Sequence, residues 1–181
     1  VSPGLANELH AKAERVVRNT GNQAGAGRRN IDHSAKPVRF NRSMLISTAE
    51  DLPRGQSLLG RLLVLELTRT DVDNAVLSKL QDATASERLA GLLAAYVQWL
   101  AGRMDDLKRD FPKIVEQLRN GAIRDGFCSS HPRAPEIYAN LVGAAELFLE
   151  FLETAGALSE DRTNALLADM ETALKQAFSE Q

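Results

Sequence analysis

Cysteine is almost absent: Cys128 stands alone among 181 residues. That excludes an intrachain disulfide and any zinc site built on several cysteines. Solitary cysteine use fits a reducing compartment, and the cytoplasm is the expected location. Long apolar runs are missing too. No stretch approaches the roughly 20 residues that a membrane span needs, so no membrane partner is expected. No stretch reads as a basic-then-apolar leader, so none is expected. No GxxxxGK[ST] occurs, and no apolar run tipped with paired acids precedes the first helix. The phosphate-cradling loop and the magnesium-holding acid of a P-loop nucleotidase are therefore both lacking, and this chain alone is expected to be inactive. His10, His33 and His131 lie far apart in sequence, so no metal site is expected.

What remains is ample for a folded core. The chain is 44% apolar, with 22 basic and 24 acidic residues. The near-neutral total hides a split. Counting from Val1 to Arg61 gives ten Lys or Arg against five Asp or Glu, a net of +5, and the rest of the chain carries −7. Eight of those ten are arginine, the side chain suited to bidentate contact with phosphate. A charge split of this kind points to nucleic acid or nucleotide near the front of the chain, with a solvated helical body behind, and ordinary surface charge is the alternative.

Periodicity predicts a helix over Leu5 to Arg18, followed by a loop from Asn19 to Asn41 that holds Gly21, Gly25, Gly27 and Pro37. In and beside that loop, Arg18, Asn22, Arg28, Arg29 and Lys36 are the nucleic-acid candidates. Phe40 is its one aromatic, which gives little platform for stacking bases. Ser43 to Ala49 and Leu62 to Leu67 are short apolar runs that read as buried strands of a parallel or mixed sheet. From Asp71 onward the chain reads as helical, with a cap at Asp71 or Asp73. Further helices are expected from Ser86, over Asp105 to Asn120 with a C-cap at Gly121, from Pro135, and from Ser159 to Phe178. Leu92, Tyr96, Trp99, Leu100, Phe148 and Phe151 are expected in a core or an interface. Glu146, Glu150 and Glu153 are expected on a solvated helix face.

The block RSMLISTAEDLPRGQSLLGRLLVLEL, with RVVRNTGNQAGAGRRNID before it and HPRAPEIYANL after it, resembles the second half of the P-loop ATPase core of bacterial and phage helicase-like proteins of mobile elements. The resemblance implies an α/β fragment, mostly α. The last strands of a P-loop sheet would occupy residues 1–70, and a helical lid or C-terminal bundle residues 71–181, with the rest of the sheet encoded before Val1. It implies a ring-forming homo-oligomer acting on DNA, with ATP and Mg2+ used by the intact protein only. Ser47 and Thr48 would then lie at the sensor position beside the attacking water. Arg54 or Arg61 would serve as the arginine finger, and Arg133 as the arginine of a lid. A plain salt bridge is the alternative for either finger candidate. The rival expectation is a stand-alone, mostly helical module that binds nucleic acid or oligomerises without catalysis.

Overall fold

The computed structural model describes residues 3–22, 24, 29–37, 41, 43–49, 51–52, 55–129 and 131–180, without the side chains of residues 3–6 and 56. Seven α-helices run through them: α1 Pro3–Gly21, α2 Gln56–Leu59, α3 Asn74–Ala85, α4 Arg88–Ala101, α5 Met104–Asp125, α6 Ala134–Thr154 and α7 Glu160–Glu180. The chain divides into two compact units, Val1–Leu63 and Val64–Gln181.

No strand is present among the described residues, and this corrects the expected α/β sheet. Only an isolated antiparallel bridge, Arg29 to Ala35, is found. Residues 43–49 are exposed throughout, with Met44 and Ile46 among the most exposed apolar side chains, and Leu65 and Leu67 are exposed as well. The physical reason is partner supply. An apolar run becomes a strand only when other strands satisfy its backbone groups, and two short runs make no stable sheet.

In the first unit, α1 packs against α2, with Val17 and Leu58 buried.

The second unit is built on α6, which packs against α5, α7 and α4, while α3 packs on α4. Asp73 caps α3, its Oδ1 accepting from the amides of Ala75 at 2.8 Å and Val76 at 3.2 Å. Ser86 closes α3 rather than opening α4, its amide donating to the Asp82 carbonyl. Glu87 then takes a left-handed φ of 58°, and this two-residue link lets the chain turn back as a helical hairpin. Gly121 lies inside α5. The left-handed cap is Gly126, with φ 75° and its amide on the Ala122 carbonyl at 3.1 Å. Pro135 sits in the first turn of α6, where a missing amide costs nothing. The fully enclosed positions of α6 are Ala139 and Val142, both at 0% exposure. Gly143 admits the Phe111 ring of α5: a Cβ there would lie 3.2 Å from Phe111 Cε2.

Candidate interaction surface and the placement of expected site residues

The apolar face of α3 and α4 is left open. Val76, Leu77 and Leu80 on α3, and Leu89, Leu93 and Val97 on α4, are each between 39% and 61% exposed. Neither helix contains a buried residue. The cause lies in how α4 is anchored. Its stripe is wide, and only one edge of it reaches α6. Tyr96 meets Phe148 edge-on at 5.1 Å between centroids and Phe151 at 5.4 Å, and Trp99 meets Phe151 at 5.9 Å. Arg103 covers the end of this cluster, its guanidinium 4.3 Å from the Trp99 ring centroid and 2.5 Å from Glu150 Oε1. The other edge, with Leu93 and Val97, faces solvent. Exposed apolar residues scattered singly need no explanation, whereas six of them on two adjacent helices do.

A second arrangement gathers polar groups between α5, α6 and α7. Tyr138 Oη donates to Glu171 Oε2 at 3.2 Å, and Lys175 Nζ reaches the same oxygen at 3.1 Å. Phe127 stands edge-on to the Tyr138 ring at 4.9 Å, and Lys175 lies 5.6 Å from the Phe127 centroid. These groups border an open groove of about 450 Å³ that Gln117, Asp125 and Glu146 also line. Burial, and then the Glu171 charge, raise the Tyr138 phenol above its ordinary value. Burial alone pushes the Cys128 thiol up to about 11, so it stays protonated and unreactive at neutral pH. The cluster ties α7 to α6 across 33 residues of sequence, and nothing in the local pattern announces it.

Glu146 departs from the expected solvated face. It is half-buried, and burial followed by the neighbouring Glu171 charge raises its carboxyl above the ordinary 4.5. A raised carboxyl means that the unfolded chain loses its proton first. Stability therefore falls as pH rises from about 4.5 to the folded-state value. Glu146→Gln is expected to raise the melting temperature near neutral pH and to leave it unchanged once both forms are protonated. Thermal melts at the two pH values check this, and an equal shift at both would contradict a charge effect.

Ser47 and Thr48 lie in an exposed segment that forms no strand, so the sheet tip that a sensor position needs is not built. Arg61 is held within the first unit. Its Nε and Nη2 donate to Asn22 Oδ1 at 3.4 and 3.3 Å, and its Nη1 donates to Ser57 Oγ at 2.8 Å and to the Ser57 carbonyl. The Arg61 stem lies against Gly21, where a Cβ would sit 3.1 Å from Cδ. Arg61 and Asn22 thus join the end of α1 to the end of α2. Arg18 pairs with Glu14 at 2.7 Å.

Arg29 and Lys36 are exposed on either side of a closed turn. In that turn, Asp32 Oδ1 accepts from the Ser34 hydroxyl at 2.6 Å and the Ser34 amide at 3.0 Å. Those two bonds lower the Asp32 carboxyl below its ordinary value. Arg133 precedes α6, its amide donating to His131 Nδ1 at 3.2 Å. Arg28, Arg54 and Phe40 lie outside the described residues.

Among the described residues, no three His, Cys, Asp or Glu side chains gather as a metal site requires, and no helix is long and apolar enough to cross a membrane. Comparison with protein-family models, with curated proteins and with solved structures gives no match, so the chain's own geometry is what bears on its function.

Proposed function

We propose that this chain is a mostly helical interaction module. Helices α5, α6 and α7 form its scaffold, and the α3–α4 hairpin is its docking surface. The single observation that supports the reading is the open apolar face of α3 and α4 on a unit whose α6 and α7 leave no large apolar side chain exposed. Keeping such a row in water is unfavourable by about 25 cal/mol per Å², a penalty that a docked partner removes. A dye that fluoresces on apolar protein surface, such as anilinonaphthalene sulfonate, tests this at high dilution. The wild-type chain is expected to bind it, and the pair Leu93→Glu and Val97→Glu to lose most of the signal with unchanged circular dichroism. Dye binding that ignores both substitutions would contradict the reading.

A second reading concerns the first unit, and it is favoured by the net charge of +5 over residues 1–61 together with the exposed Arg29 and Lys36. We propose that this segment contacts the phosphates of DNA without reading its bases. The joint variant Arg29→Glu and Lys36→Glu is expected to weaken binding of a labelled oligonucleotide roughly tenfold at low salt, and to flatten the dependence of affinity on salt. Fluorescence anisotropy measures both. Binding that is absent in the wild type, or indifferent to salt, would overturn it.

A further inference from the structure

The occupant of the α3–α4 face can be argued further, on the reading that this face is a docking surface. We propose that it pairs with the same face of a second copy of this chain about a two-fold axis, so that two hairpins close into a four-helix layer.

Two features carry the proposal. The first is the form of the ridge. Leu89, Leu93 and Val97 recur at every fourth position of α4, and Val76 and Leu80 do the same on α3. Rows of this spacing interdigitate with identical rows on a facing helix, the commonest way in which two helices pack. A surface carrying one such row per helix is therefore complementary to itself, which is what a two-fold interface requires.

The second is area. The six exposed side chains leave roughly 500 Å² of apolar surface in water, the upper end of what a monomer's largest patch shows. Doubling that across a two-fold axis, and adding the polar rim, brings the pair to the size of about 1,000–1,200 Å² at which specific interfaces begin.

Sedimentation equilibrium on the 181-residue chain tests the proposal. The wild type is expected to move from 19.8 kDa towards twice that mass as concentration rises from the low to the high micromolar range. Leu93→Glu is expected to weaken this association roughly tenfold or more, with circular dichroism unchanged because the side chain is exposed. A monomer at every concentration overturns the proposal. So does a mass increase that Leu93→Glu leaves intact, which would place the contact on another face. If the chain stays monomeric while dye binding still depends on Leu93 and Val97, the docking surface stands and its partner is not a copy. If neither depends on them, both readings fall together.

Discussion

Replacing Phe178 with alanine is expected to lower the stability of the helical unit by about 3–5 kcal/mol, the largest loss that any single truncation here should produce. Phe178 is 1% exposed and sits near the end of α7. Its ring meets Tyr138 edge-on at 6.4 Å and 74°. Tyr138 in turn holds Glu171 on the same helix, so the ring closes the seam between α6 and α7 from one side while the polar cluster closes it from the other. Truncation removes apolar contact and leaves a void beside the buried phenol that donates to Glu171. For a unit of about 120 residues this corresponds to a fall of roughly 10–20 °C in melting temperature. Circular dichroism melts and denaturant unfolding both report it. A fall of only one or two degrees would mean that α7 is not docked as described.

The second large effect is expected at Gly143, and its size should depend steeply on side-chain length. Alanine there puts a Cβ 3.2 Å from Phe111 Cε2 and 3.4 Å from Cζ, so the ring must yield by a few tenths of an ångström. Against that strain stands the helix-propensity gain of about 1 kcal/mol for replacing a mid-helix glycine with alanine. The two nearly cancel, and Gly143→Ala should change stability by less than about 1 kcal/mol. Leucine has no such compromise. Its branch must enter the space held by Phe111 and Leu118, whose Cδ1 is already 3.7 Å from the Cβ position. Gly143→Leu is expected to cost about 3 kcal/mol as α5 and α6 are levered apart. The same unfolding curves separate the two variants. Equal effects would show that α5 does not approach α6 closely at this point.

The helices of the second unit were largely legible from local chemistry. Asp73 caps α3 because a carboxylate ahead of two apolar turns satisfies amides that no helix can satisfy itself, and Pro135 marks a start for the complementary reason. Tyr96, Trp99, Phe148 and Phe151 read as core or interface and do cluster. The terminators were less legible. Gly121 and Gly126 are equally good glycines in sequence, and which one ends α5 depends on where α6 holds the helix. Ser86 offers a hydroxyl suited to either end of a helix, and here it donates to the Asp82 carbonyl at 2.8 Å.

Residues 43–49 and 62–67 show the deeper limit. Four or five apolar residues in a short run state that a segment prefers company, but only its neighbours decide whether that company is a sheet. The candidate surface was half visible for the same reason. The stripe on α4 is plain in the sequence, whereas its exposure is a property of what α6 does not cover. The Tyr138–Glu171–Lys175 cluster had no local signal at all, because its partners meet across a helix–helix contact.

The account stands most directly on α3 and α4 of one copy pairing with those of another, and hydrogen exchange read along the chain at low and high protein concentration tests that claim. The amides of residues 74–85 and 88–101 are expected to exchange roughly tenfold more slowly in the concentrated sample, with those of α5, α6 and α7 unchanged. Exchange that is indifferent to concentration, or slowing confined to any other element, would contradict it.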